Sequence, residues 1–187
     1  MIEKGFKYTE IGVIPENWGV KAIGEILYFG SGKDYKHLSF GDYPVYGTGG
    51  VMTYVNGFLY DGESVGIGRK GTIDKPVLLD GKFWTVDTLF FTHSFKNVLP
   101  KFVYYKFLQI KWKDYNEASG VPSLNKNNLN KIKIAVPDLI EQTAIANALS
   151  DMDALIAQTS TLIEKKKAIK QGELEEFRPT VIVAPPR

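Results

Sequence analysis

The sequence contains no cysteine, and only two histidines, His37 and His93, in 187 residues. The first absence removes disulfides and zinc–thiolate sites and fits a reducing, cytoplasmic setting. The second leaves no histidine spacing suited to a metal. No apolar run is long enough to cross a bilayer, and the opening "MIEKGFKYTE" lacks an apolar signal core, so no membrane attachment is expected. A phosphate-binding Gly-x-x-x-x-Gly-Lys-Ser/Thr loop is missing, as is an Asn/Asp-Pro-Pro-aromatic motif for amino-methyl transfer. The expectation is therefore a chain without catalysis, cofactor or metal of its own. Charge of one sign is scarce too. The net charge is +2, with the cationic excess before residue 138 and a net acidic remainder.

What is present supports a folded core: 44% hydrophobic and 13% aromatic residues. Three segments are expected: a globular domain at 1–137, one long helix at 138–172, and a tail at 173–187. The first segment is rich in glycine, aromatic and β-branched residues. "MTYV" and "FLY" flank Asn56 and Gly57, a hairpin signal. "KPVLL" and "KFWTV" flank Asp80 and Gly81, which suggests a second hairpin. "TLFFTH" and "KIKIAV" read as further strands. Helices are expected near 20–29 and 100–111, with Pro100 suited to a first helical position. The fold class is mixed α/β (α+β), built on a twisted, largely antiparallel sheet.

After Pro137 the pattern changes. Asp138 is a good N-cap, and Glu141 three residues on makes a capping-box-like pair. Apolar residues recur at helical spacing: Ile145, Ala148, Leu149, Met152, Leu155, Ile156, Leu162, Ile163 and Ile169. Ala148, Leu155, Leu162 and Ile169 are spaced by seven. A helix of roughly 34 residues runs about 50 Å, longer than the preceding domain is expected to be wide. The stripe therefore calls for a partner helix, rather than packing along its own domain.

"GIGRKGT" at 66–72 matches Gly-x-Gly-x-x-Gly, but turn and strand signals follow it where a dinucleotide loop needs a helix. It reads instead as a glycine-flexed tip of a sheet that presents Arg69 and Lys70 to solvent. Other exposed polar candidates lie in polar, glycine-rich turns. Lys33, Lys36 and Lys70 offer cations, and Arg69 a forked donor. Thr48 lies in "YGTGG", Thr72 closes the Arg69 turn, and Ser123 and Asn125 lie in "SGVPSLN". Each is equally readable as a solvated loop residue. Tyr46 and Trp84 read as core.

Three ordered stretches carry a resemblance: "YTEIGVIPENW" at 8–18, the glycine- and aromatic-rich centre at 43–91, and "SGVPSLNKNNLNKIKIAVPDLIEQTAIANAL" at 119–149. The last holds Pro137, Glu141, Gln142 and Ile145 in a Pro-x-x-x-Glu-Gln-x-x-Ile pattern. Together they resemble DNA specificity (S) subunits of type I restriction–modification systems. The resemblance implies a non-catalytic reader of double-stranded DNA that binds methyltransferase subunits and, in the full complex, restriction–translocation subunits. In such a reader Lys33, Lys36 and Lys70 suit phosphates, and Arg69 can fork onto a guanine. It implies a target recognition domain followed by a helix of an antiparallel coiled coil. A complete subunit of this kind has two such domains and two such helices. One of each is present here, which implies a half-size form acting as a homodimer on a split inverted repeat, with DNA methylation by the partner subunits. The competing reading is a regulatory or scaffold protein whose helix pairs with a partner while its head binds protein.

Overall fold

The computed structural model describes residues 4–176. Contacts divide the chain into two units, Met1–Ala146 and Asn147–Arg187. The first unit begins with strands β1 (Phe6–Thr9), β2 (Gly12–Pro15) and β3 (Gly19–Ala22), the single-turn helix α1 (Ile23–Ile26) and β4 (Tyr28–Ser31). There follow β5 (Tyr43–Gly47), β6 (Gly50–Val55), β7 (Tyr60–Asp61), β8 (Ser64–Gly68), β9 (Val77–Leu79), β10 (Lys82–Thr85) and β11 (Leu89–His93). Helix α2 (Pro100–Gln109), a 3-10 turn at Trp112–Tyr115, the short α3 (Lys126–Leu129) and β12 (Lys133–Val136) complete it, and α4 (Leu139–Glu176) closes the described chain.

The fold is mixed α/β with antiparallel pairing dominant, as expected. The strands do not form one sheet, however. They divide into a β1–β2 hairpin, a β6-β5-β10-β7 sheet, a β4-β11-β8-β9 sheet and a β12–β3 pair. Among the described residues the one parallel pairing is β10 with β5. Against the β4-β11-β8-β9 sheet lies the main core, where Ile23, Phe102, Phe107, Trp112 and Leu129 are all but inaccessible. A smaller cluster gathers Val45, Val55, Trp84 and Val86. Trp84 is thus core, as expected, and Tyr46 packs half-buried against a third cluster around Phe83.

Both expected hairpins are corrected. β6 ends at Val55 and its partner is β5, through a tight turn at Thr48 and Gly49. Asn56 is recruited elsewhere: its N–H donates to the Ser39 carbonyl (2.9 Å) and its Oδ1 accepts from the Ser39 N–H (3.2 Å). Those bonds tie it to a crossing loop, and the chain reaches β7, which pairs with β10. Asp80 and Gly81 do turn, with the Gly81 N–H on Asp80 Oδ1 (2.7 Å). The flanking strands part there, β9 to β8 and β10 to β5 and β7. The signal marked a corner between two sheets. Strand pairing partners, unlike the turn itself, depend on contacts far away in sequence.

The helix expected at 20–29 is also corrected. Its ends are strands, and only Ile23–Ile26 turns helical. Tyr28–Ser31 is taken by β11, with Phe29 opposite Thr92. By contrast, the helix expected at 100–111 forms as α2 with proline in its first turn, and "TLFFTH" and "KIKIAV" form β11 and β12.

Asp138 caps α4: its Oδ1 accepts the Glu141 N–H at 2.8 Å. The capping box is only half formed, because the Glu141 carboxylate accepts from Asn17 Nδ2 (3.4 Å). Gln142 fixes the first turn. It is 0% exposed. Its Oε1 accepts the Leu99 N–H (2.9 Å), and its Nε2 donates to the carbonyls of Asn97 (3.1 Å) and Pro137 (2.9 Å). Ile145 is half-buried against the main core, so it belongs to that core and not to an open stripe as expected. From Leu149 onward, Met152, Leu155, Ile156, Leu162, Ile163 and Ile169 are exposed. The helix runs to Glu176, past the expected boundary at 172. The rest of the expected tail, 177–187, lies outside the described residues. No helix among the described residues is long and apolar enough to cross a membrane.

Candidate nucleic-acid interface

The candidate residues come from four loops far apart in sequence, and one turn at 86–88 gathers them. The N–H groups of Arg69 and Lys70 both donate to the Thr88 carbonyl, at 2.8 and 3.2 Å. The Lys33 N–H donates to the Thr85 carbonyl (2.9 Å), and the Gly32 N–H to Leu89 (3.2 Å). The Val86 N–H donates to Tyr46, two residues before Thr48 (3.0 Å). The fourth loop joins through Arg69 and its neighbours. Lys70 and Ser123 form an isolated antiparallel bridge, the Leu124 N–H donates to the Arg69 carbonyl (2.8 Å), and the Gly71 N–H to Pro122 (2.9 Å).

Two glycines make this convergence possible. A Cβ at Gly32 would stand 1.9 Å from the Val86 carbonyl oxygen, and one at Gly68 would stand 1.9 Å from that of Thr72. No side chain fits either distance. The Gly-x-Gly-x-x-Gly spacing thus serves backbone packing beneath the Arg69 turn, with no helix after it.

Arg69 and Lys70 are exposed, as expected of a tip. The Arg69 guanidinium donates through Nη1 to the Asp87 carbonyl (3.3 Å), and its Cζ lies 5.9 Å from the centroid of the Phe90 ring. Lys33 is exposed, while its carbonyl accepts from Trp84 Nε1 (2.8 Å). Lys36 is exposed in the next turn, which the Leu38 N–H closes onto the Tyr35 carbonyl (2.9 Å). Thr48 is half-buried at the tip of the β5–β6 hairpin. Thr72 is half-buried, and its carbonyl packs against Gly68. Ser123 and Asn125 line a cleft of about 440 Å³ together with Arg69. The Asn125 Oδ1 is occupied there, accepting the Asn127 N–H at 2.9 Å to cap α3.

Lys126, Glu117 and Ser31 line the same cleft and escaped the sequence reading. Lys126 Nζ lies 5.2 Å from the Phe90 centroid, over the ring that Arg69 also approaches. Burial, and then the Arg69 charge, lower the Lys126 pKa from the ordinary lysine value. Burial, and then the charge of Lys126, likewise lower that of His93. Lys126 follows Asn125 directly, so its loop was legible, but its turn toward Arg69 was not.

The sequence profile of the family described as "Type I restriction modification DNA specificity domain" matches residues 15–170. The MjaVIII specificity subunit of a type I restriction enzyme from Methanocaldococcus jannaschii is 27% identical, over 94% of this chain and 45% of its own length. The MjaIX specificity subunit from the same organism is 29% identical, over 93% and 44%. This chain spans about half the length of the curated relatives it matches. In fold it is similar to the S subunit of a type I restriction–modification system from M. genitalium, with a TM-score of 0.67 at 20% identity, over 83% of this chain and 44% of that one. The profile match takes in β3 to β12 and most of α4, and on that ground the chain belongs to the type I restriction modification DNA specificity domain family.

Proposed function

We propose that this chain reads double-stranded DNA as the specificity subunit of a type I restriction–modification complex. It carries no catalysis itself. It acts as a homodimer through an antiparallel pairing of α4, and it positions methyltransferase subunits, with restriction–translocation subunits added in the full complex. The observation that carries this reading is the convergence of Lys33, Thr48, Arg69, Lys70, Ser123 and Asn125, from four loops, about the turn at 86–88. Phosphate binding needs clustered cations, and base reading needs forked or amide groups among them. Lys36 and Thr72 sit in the same loops.

A closed homodimer is most often two-fold symmetric. Two identical heads then read the same half-site on opposite strands, so the target is an inverted repeat with an unread spacer. The 38 residues of α4 extend about 57 Å, which bounds the separation of the half-sites at about 17 base pairs. Duplex binding measured across a salt series tests the DNA reading, because phosphate contacts release counterions and make affinity fall steeply with salt. Methylation is expected only after methyltransferase subunits and S-adenosylmethionine are added. Turnover by the purified chain would overturn the assignment.

The turn also makes a sharper prediction. Arg69→Ala is expected to weaken binding to the specific sequence by about 1–3 kcal/mol and to relax one position. Lys70→Ala is expected to lower affinity for every sequence and to reduce the salt slope by about one. Fluorescence anisotropy on specific and random duplexes separates the two. Unchanged binding in both variants would remove the turn from the interface.

A further inference from the structure

The cleft beside Arg69 holds more chemistry than a phosphate contact needs. Arg69 and Lys126 approach one Phe90 ring, which is itself buried and forms part of the lining. Two like charges held close repel, and the ring quadrupole offsets only part of that cost. The salt bridges Lys113–Asp74, Lys133–Glu10 and Lys167–Glu164 engage neither of them. One Arg69 N–H is engaged by the Asp87 carbonyl. The guanidinium has further donors, and the ammonium has three.

Glu117 lies in the same lining. Its N–H donates to the carbonyl of Ser123 (3.0 Å), another residue of the cleft lining, and its Oε1 accepts from Asn128 Nδ2. A carboxylate in the same lining disfavours a phosphate as the only ligand. It suits a ligand that offers acceptors and a donor side by side. The major-groove edge of a G·C pair has that order: guanine N7 and O6 accept, and cytosine N4 donates. An A·T pair places the adenine amino group, a donor, where a second acceptor would be needed, and adds a methyl group.

We infer that Lys126 and Glu117 complete, with Arg69, a reader of one G·C pair, in which the two cations donate to guanine N7 and O6 and Glu117 accepts from cytosine N4. The assignment rests on the DNA reading proposed above. Lys126 and Glu117 are specificity-determining residues in it, and Phe90 is the surface that keeps the two cations side by side.

Selection from random duplexes with the full chain, followed by sequencing, tests it. The wild-type chain is expected to enrich a half-site with a fixed G·C pair. Lys126→Ala and Glu117→Ala are each expected to relax that same pair, reducing its preference about tenfold, and to leave the other positions unchanged. Lys126→Arg is expected to retain guanine. Thermal melts matching the wild type establish that the variants are folded. A uniform loss of affinity with preferences intact would make Lys126 a phosphate contact and overturn the inference, while the DNA reading stands. Relaxation of two different pairs would overturn the single-pair assignment. No enriched sequence from the wild-type chain would overturn the DNA reading and this inference together.

Discussion

Replacing Leu155 and Leu162 together with aspartate is expected to turn a two-chain particle into single chains. These side chains are 55% and 54% exposed in the isolated chain. Burying a leucine contributes about 1.5–3 kcal/mol. A symmetric pair would bury four of them, so the double variant is expected to lose about 6–12 kcal/mol of association, at least four orders of magnitude in Kd. Sedimentation velocity at micromolar concentration reads the change directly. Circular dichroism should stay close to wild type, because neither leucine belongs to the core of the first unit. Binding to a duplex with both half-sites should fall to the level of a single half-site. A wild-type chain that sediments as a monomer would defeat the dimer proposal before any variant is made.

Gln142→Ala is expected to be the most destabilising single truncation among the polar residues. It strands three backbone groups at once: the Leu99 N–H and the carbonyls of Asn97 and Pro137. Each unsatisfied buried group costs about 1–3 kcal/mol. Allowing for water entry, a loss of about 3–5 kcal/mol is expected, a melting-point drop on the order of 10 °C for a chain of this size. Gln142→Glu separates donation from shape. The carboxylate keeps the acceptor for Leu99 but faces two carbonyls it cannot donate to, so this variant should be worse near neutral pH. Burial and those carbonyls raise the folded-state pKa of the new carboxyl above its unfolded value. Its neutral form can donate, so stability should be partly regained as pH falls through the folded-state pKa. A Gln142→Ala chain that melts within a degree or two of wild type would show that water replaces all three bonds.

The parts of the fold legible in the sequence were those set by local chemistry. Proline at the start of α2, the Asp138 cap and the seven-residue spacing along α4 each act within a few residues. Strand partners were not legible. Asn56 carries a strong hairpin signal, but its hydrogen bonds go to Ser39, and no local pattern encodes that choice. The same division holds for the candidate site. Arg69 and Lys70 stand out because glycines flank them, and Ser123 and Asn125 because of their polar turn. Lys126 and Glu117 do not stand out, because their significance comes from sharing a cleft with Arg69. Ile145 matched the apolar stripe by spacing alone, and the core of the first unit claimed it.

The four loops are fastened around the 86–88 turn by main-chain atoms. Thr85, Thr88, Leu89 and Tyr46 supply carbonyls there, and Arg69 and Pro122 carry the fastening on to the fourth loop. Glycine is required at 32 and 68, and the bonds just named use none of the side chains at 33, 48, 69, 70, 123 or 126. On the DNA reading proposed here, substitution at 33, 48, 69, 70, 123 or 126 can therefore change what is read without a new backbone to carry it. A change of target then needs a few codons, and the frame that holds the reading positions is kept.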